Sequence, residues 1–465
     1  MSVNNKIVVL GAAESGVGAA LLAKAKGFDV FISDSGKIAD SFKKKLEDNS
    51  ISYEEGQHTE EKIFSTKEII KSPGISDKSE LIKKAKKNKI KIISEIEFAG
   101  RYTKGKKICI TGTNGKTTTT LLTFHLLKKA GWNVALAGNI GNSFAELVIE
   151  DKYDAYVLEL SSFQLDGMFK FKADIAVLTN ITPDHLDRYD YKVENYVKSK
   201  FRVIQNMDAE GTFIYGEDSE LLFDELFDIE TVTQELPFSI EETEGVAAWG
   251  DEQKFWLDPK FDIASDGHNP ADIIEINNSL SVLKGKHNLY NAMAASLVAA
   301  RMGVKKEIIQ EGLSDFVNAA HRMEFVAEID GIKFVNDSKA TNVDSAYYAL
   351  DAIKEPIVWI AGGVDKGNDY SALNEVVKGK VKVLVCLGKE NGKLVNAFKN
   401  IIPIIIETQE IEACAKICLE KAVAGDVVLL SPCCASFDLF KNYEDRGDKF
   451  KQAVKQLIFN NSRIK

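Results

Sequence analysis

Short apolar runs bounded by Gly, Asn or Pro recur along the chain. They alternate with longer stretches whose apolar positions return every three or four residues. The first pattern reads as buried strands and the second as amphipathic helices. Their alternation predicts an α/β protein built on mostly parallel sheets. The opening unit, "KIVVLGAAESGVGAALLAKAKGFDVFISD", is strand, Gly turn, helix and strand, ending at Asp34. It has the outline of a dinucleotide-binding unit, G-x-G-x-x-G. Ala13, however, stands in place of the middle Gly that lets a backbone approach a pyrophosphate closely. A Rossmann-like domain without NAD is therefore expected. The lysine-rich "SELIKKAKKNKI" reads as a solvated helix face, and a boundary falls near residue 95.

The middle of the chain continues with strands at "YVLEL" and "DIAVLTN" and a helix at "VENYVKSKFRVIQNM". Residues 217–280 are acidic and irregular, with few clear signals. A helix at "NLYNAMAASLVAARMG" closes the region near residue 303. The last third opens on a hairpin, "FVAEIDGIKFVND", whose Asp330-Gly331 pair suits a tight turn. Strands at "PIVWIAGG", "KVLVCLG" and "VVLLSP" then alternate with helices. Three domains are expected, 1–95, 96–303 and 304–465, in keeping with about 150 residues per domain.

Composition narrows the function. The 59 basic and 69 acidic residues leave a net charge of −10, and no basic block offers a surface for nucleic acid. No apolar run approaches the ~18 residues of a membrane span. The opening "MSVNNKIVVLG" enters a strand directly, so no signal peptide is expected. The six cysteines form no CxxC pair and do not cluster with His, which suits free thiols in a reducing cytoplasm rather than zinc.

The polar motifs fall just after the apolar runs. Gly11, Ser72, Thr111, Glu159, Asn180, Asn336-Asp337, Gly362-Gly363 and Ser431 all do so. In open α/β sheets, ligands bind beyond the carboxyl ends of strands. The stretch "ICITGTNGKTTTT" is a strand, a Gly-rich turn and a helix start. The common phosphate loop is G-x-x-x-x-G-K-[ST], yet position 110 is Ile110 and the nearest Gly is Gly112. Gly112, Thr113, Asn114 and Gly115 nevertheless lead into a helix whose N–H groups and dipole suit phosphate. Lys116 would reach the outer phosphates, and Thr117 could ligate magnesium. Glu159 ends an apolar strand, where a carboxylate is costly without a partner such as a metal-bound phosphate. "NITPDHLDRY" brings Asn180, Asp184, His185 and Asp187 into one short loop.

With these motifs the sequence resembles the Mur ligases over nearly its whole length. Their phosphate loop has the short form of residues 111–117, so the absent Gly at 110 is a family trait. "NDSKATN", "GGVDKG" and "LSPCCASFDLFKNYEDRG" resemble the branch that adds D-glutamate. The resemblance implies ATP-dependent amide ligation in peptidoglycan precursor synthesis. UDP-N-acetylmuramoyl-L-alanine and D-glutamate would be the substrates, and the protein a cytoplasmic monomer.

Site residues follow from the same resemblance. Residues 112–118, including Thr118, would hold the ATP phosphates. Asn288, Asn291, Arg322 and Asp337 would contact the nucleotide. Thr117 and Glu159 would ligate one magnesium ion. His185 would ligate a second, with a carbamylated Lys200 acting as a bridging carboxylate. Ser15, Gly16, Asp34, Ser72, Pro73 and Gly74 would hold the uridine diphosphate, and Asn139, Ser161 and Gln164 the muramoyl end. Ser338, Lys339 and Thr341 would face the reacting centre, with Lys366, Ser436 and Tyr443 on D-glutamate. The alanyl carboxylate would attack the γ-phosphate, and the amine of D-glutamate would then displace phosphate. A nucleotide-driven motor shares the phosphate loop but leaves the polar strand ends of the last third unexplained. An NAD oxidoreductase is disfavoured by Ala13.

Overall fold

A computed structural model describes residues 5–227, 229, 231–263, 268–365 and 367–461. It contains three sheets. The first is all parallel, in the order Ser52–Glu55, Asp29–Asp34, Lys6–Leu10, Glu68–Lys71, Lys91–Ile93. This is the Rossmann-like order, and it reverses between Lys6–Leu10 and Glu68–Lys71. Gly11 and Ser72 follow those two strands and so flank the crevice that such a reversal opens.

The second sheet has nine strands, with Lys106–Thr111 between Ile175–Leu178 and Ala155–Glu159 and with Val134–Gly138 at the edge. Side chains alternate across the first of these strands. Ile108 and Ile110 pack under the helices Lys116–Lys129 and Lys286–Arg301, while Cys109 joins the core on the other face. The described residues of 217–280 form more regular structure than their composition suggests. Gln234–Ser239 and Ala248–Gly250 continue the parallel order, and Lys254–Leu257 and Ile274–Asn277 add antiparallel strands at the far edge. These strands are short, and Phe238, Phe255, Leu257 and Ile276 supply their buried face. Short strands separated by acidic turns leave little periodicity to read.

The third sheet runs Glu324–Ile329, Ile332–Asn336, Val427–Leu430, Ile357–Ala361, Val381–Leu387, Ile404–Thr408. Only its first pair is antiparallel. Asp330 and Gly331 close that hairpin with φ of 50° and 80°, the doubly positive turn expected of Asp-Gly. The chain forms two compact units, residues 1–283 with 288–316, and 284–287 with 317–465. The first two sheets belong to one unit and the third to the other. Among the described residues no helix is long and apolar enough to cross a membrane.

Candidate active site

The phosphate loop begins where the core strand ends. Ile110 is fully buried in that strand, so the turn cannot start there and starts at Gly112 instead. Gly112 has φ of 141°, and a Cβ there would lie 2.0 Å from Thr179 Oγ1. Gly115 has φ of 84°, and its Cβ would lie 2.3 Å from Asn291 Oδ1. Both positions therefore require glycine. The neighbouring strand end ties the loop down. Thr113 N donates to Asn180 O (2.9 Å), Asn114 N to Asn180 Oδ1 (3.0 Å), and Thr179 Oγ1 to Asn114 O (2.6 Å). The helix Lys116–Lys129 starts directly after Gly115, with no side-chain cap, and its positive dipole end faces the loop. Thr117 and Thr118 are buried in its first turn. Thr119 Oγ1 donates to Asn291 Oδ1 (3.1 Å), and Asn291 Nδ2 to Asn288 Oδ1 (3.3 Å). The fold thus brings both asparagines, far away in sequence, against the loop.

Two lysines converge on one loop oxygen. Lys116 Nζ donates to Gly112 O and Thr113 O, each at 2.8 Å. Lys200 Nζ donates to Gly112 O at 2.8 Å and to Thr111 Oγ1 at 3.3 Å. The helix Val193–Phe201 turns Lys200 inward, 2% exposed, and leaves Lys198 in solvent. Burial, reinforced by the Lys116 charge, holds the Lys200 amine well below the usual lysine range.

Glu159 is buried at its strand end. Its Oε1 accepts from Asn139 Nδ2 at 2.7 Å, while Oε2 is buried without a hydrogen-bond partner. His185 has a left-handed backbone, φ 54°, and its ring meets Phe163 edge-on at 5.2 Å. A cavity of about 320 Å³ opens between these groups, lined among others by Lys116, Asn139, Ser161, His185 and Lys200. Gln164 does not line it. That side chain completes a capping box beneath Ser161, accepting from Ser161 N at 2.9 Å.

Pro73 and Gly74 line the same cavity from the first sheet's crevice. Gly16 lets the first helix pack against the strand end, since a Cβ there would lie 1.9 Å from Gly11 O. Asp34 accepts from Ala12 N and Gly36 N, both at 2.7 Å, and so shapes the turn that leads into the helix Glu14–Ala25, which carries Ser15. Ser72 N donates to Leu10 O (2.9 Å), which fixes the start of the turn before Pro73.

In the other unit, Asn336, Asp337, Ser338 and Ala340 of the motif at 336–342 are buried, and the motif is tied down. Asp337 Oδ2 accepts from Ser431 Oγ (3.0 Å) and Oδ1 from Met323 N (3.2 Å). Burial pushes its carboxyl up to about 7. Ser338 Oγ donates to Tyr443 O at 2.8 Å, and Lys339 Nζ stands 5.3 Å from the Tyr443 ring centre. Thr341 N donates to Lys339 O (2.9 Å), and Ser436 is buried beside this region's loops. Arg322 Nε is buried without a hydrogen-bond partner. Lys366 lies outside the described residues. Its neighbours form a network: Tyr370 Oη donates to Asp365 Oδ2 (2.7 Å) and meets Cys434 Sγ (3.2 Å), and Asn368 Nδ2 donates to Cys433 O (3.1 Å).

Three family models match in succession: the MurD N-terminal domain over residues 6–81, the Mur ligase middle domain over 110–299, and the Mur ligase glutamate ligase domain over 321–434. The UDP-N-acetylmuramoylalanine–D-glutamate ligase of Christiangramia forsetii is 48% identical over 459 residues, which are 97% of this chain and 99% of that one. Its counterpart in Bacteroides fragilis is 49% identical over 457 residues, 97% and 100% of the two chains. The chain belongs to the Mur ligase family, in the D-glutamate-adding branch. The fold agrees. A pseudomurein peptide ligase type C from Methanothermus fervidus superposes with a TM-score of 0.61 at 20% identity, covering 98% and 100% of the chains. The UDP-N-acetylmuramate-alanine ligase of Thermotoga maritima does so at 0.59 and 18%, covering 97% and 99%.

Several residues of this Mur ligase escaped the reading of its motifs. Thr179 holds the loop through a side chain that looks unremarkable in "AVLTN". Arg446, 1% exposed, donates to Ser338 Oγ (2.9 Å), Ser338 O (2.8 Å) and Cys434 O (3.2 Å). A charged residue inside "NYEDRG" gives no sign that it will be buried. Phe163 and Arg188 also line the cavity.

Proposed function

We propose that this Mur ligase adds D-glutamate to UDP-N-acetylmuramoyl-L-alanine in the cytoplasm, consuming ATP, with the residues gathered around the phosphate loop doing the chemistry. The observation that carries this reading is one cavity lined by Lys116, Asn139, His185 and Lys200 beyond a glycine-enforced phosphate loop. The alanyl carboxylate attacks the γ-phosphorus, a P–O bond to ADP breaks, and an acyl phosphate forms. The amine of D-glutamate then attacks the acyl carbon, phosphate leaves, and the ammonium proton is lost. Residues 112–118, Asn288, Asn291, Arg322 and Asp337 bind ATP, and Lys116 neutralises charge on the transferred group. Ser15, Gly16, Asp34, Ser72, Pro73, Gly74, Asn139, Ser161 and Gln164 hold or shape the acceptor's place. Ser338, Lys339 and Thr341 are assigned to the reacting centre, and Lys366, Ser436 and Tyr443 to D-glutamate.

The buried, partnerless Glu159 Oε2 suits a cation. Thr117 and Glu159 would hold one magnesium ion, and His185 with Lys200 a second. Among the described residues no three His, Cys, Asp or Glu side chains cluster as a metal site. Magnesium needs no such cage, because it keeps waters and takes phosphate oxygens. When bound, it offsets charge on the phosphoryl oxygens. Lys200 fits the second place once its amine has added CO₂ and lost a proton, since the carbamate is an oxygen anion. A buried amine held unprotonated is the form that reacts. Phosphate release tests the reading: it should require both UDP-N-acetylmuramoyl-L-alanine and an amino acid, with D-glutamate far ahead of L-glutamate or lysine. Equal release without an amine would overturn it.

A further inference from the structure

Arg188 has no role in the site so far. It ends the 3-10 turn Leu186–Arg188 and is half-buried on the wall of the 320 Å³ cavity. Its guanidinium lies 4.3 Å from the centre of the Phe163 ring. Phe163 also meets the rings of His185 and Tyr189, at 5.2 and 6.1 Å, so one aromatic platform orients this stretch of loop. Arg188 Nη2 reaches Pro73 O at 3.5 Å. That long hydrogen bond is the guanidinium's single polar contact among the described residues, and no carboxylate there pairs with it. Five N–H donors are rarely left so poorly used. Lys71, a second buried cation, is close enough for the Arg188 charge to help hold its amine low.

We propose that Arg188 binds the diphosphate of the uridine-diphosphate sugar acceptor. This rests on the functional reading above and deepens it. The acceptor carries two anionic groups. Its alanyl carboxylate must reach the phosphate loop, at Lys116. Its diphosphate belongs with the crevice of the first sheet, where Pro73 and Gly74 enter the cavity. Arg188 touches that turn. A guanidinium held flat on an aromatic ring has its fork pre-oriented for two phosphate oxygens. The turn's backbone and the arginine would then grip the diphosphate from opposite sides, and the length of the sugar and lactoyl-alanine would deliver the carboxylate to ATP.

Titration calorimetry with UDP, with UDP-N-acetylmuramoyl-L-alanine and with ATP, on the wild type, Arg188→Ala and Arg188→Lys, tests this. Arg188→Ala should weaken both UDP compounds by about tenfold to a hundredfold, the scale of one charge-assisted contact, and leave ATP within about twofold. Arg188→Lys keeps a cation over Phe163 but loses the fork, and should recover part of the loss. Unchanged UDP affinity in Arg188→Ala would overturn the proposal, whether or not the full acceptor binds less well. So would an equal loss for ATP, which would mark a collapsed loop. Wild-type turnover measured alongside separates the two readings. Its absence refutes the ligase assignment, whereas normal turnover with unaltered UDP affinity in the variant refutes only the role of Arg188.

Discussion

Glu95 offers a test of how the acceptor-binding region is fixed to the ATP-binding sheet. It lies in the short helix Glu95–Ala99, 4% exposed. Its Oε1 accepts from Ser143 Oγ (2.6 Å) and Ala145 N (2.7 Å), at the start of the helix Phe144–Val148. That helix follows the loop whose Asn139 orients Glu159. Burial outweighs these hydrogen bonds and raises the carboxyl from the usual 4.5 to about 7. The folded protein therefore keeps a proton that the unfolded chain has released between those pH values. Stability from this group is intact below pH 4.5 and is lost as pH rises through 7. At about 1.4 kcal/mol per tenfold change in proton affinity, the full loss is about 3 kcal/mol above pH 8 and about 1 kcal/mol at pH 5. Glu95→Gln keeps an Oε1 acceptor and removes the charge. It should raise the melting temperature at pH 8 by about 5 °C more than at pH 5, from the usual 2–4 °C per kcal/mol for domains of this size. Scanning calorimetry at both pH values measures it. Equal effects at the two pH values, or destabilisation at pH 8, would refute the reasoning, because the carboxylate would then be a net stabilising anion.

Three further outcomes are expected. Lys116→Ala should lower turnover about a hundredfold or more, since charge on the transferred phosphoryl group loses its nearest side-chain cation; near-normal phosphate release from a folded variant would refute the loop's role. Lys200→Ala should lose most activity and regain some with added short-chain carboxylic acids, while the solvent-facing Lys198→Ala keeps it; equal losses would show that burial of Lys200 is incidental. Tyr370→Phe removes the hydroxyl that ties Asp365 to Cys434, and should raise KM for D-glutamate several-fold with KM for ATP unchanged. A rise confined to ATP would move that network to the nucleotide.

Much of the fold was legible because parallel sheets announce themselves. Strands buried on both faces read as apolar runs such as "IVVL" and "IVWIA", and the Asp330-Gly331 turn has few alternatives. The edge of the second sheet was not legible, since strands as short as Ala248–Gly250 carry no period. At the site, Gly112, Gly115 and Lys116 were readable because steric need restricts their identity. Glu159 was readable because a carboxylate is costly at the end of an apolar strand. Lys200 and Arg446 were not readable from pattern alone. Each is a charged residue on an amphipathic helix, and only the tertiary packing decides that it faces inward. Arg188 was hidden for a related reason, because its partners Phe163 and Pro73 are distant in sequence and join it only through the fold.

The electrostatics of the loop disfavour two protonated lysines on the same carbonyl. Lys116 and Lys200 each hold Gly112 O at 2.8 Å, so their nitrogens lie within about 5.6 Å of each other. Two unit charges at that distance repel by about 3 kcal/mol at an effective dielectric of 20, before any cost of burial. Lys116 sits at the helix start, where the proposed reaction would use a cation throughout. Lys200 is the more deeply buried, and desolvation weighs against its charge more than any other influence around it. Burial and the Lys116 charge therefore both favour the neutral amine at Lys200. A neutral amine beside a developing phosphate charge would contribute little by itself. Converted to a carbamate, the same side chain changes from a repelled cation to an anion attracted to Lys116 and to magnesium. Burial and the neighbouring lysine thus favour the form of Lys200 that the proposed modification needs, and a carbamate there would remove the repulsion between the two lysines.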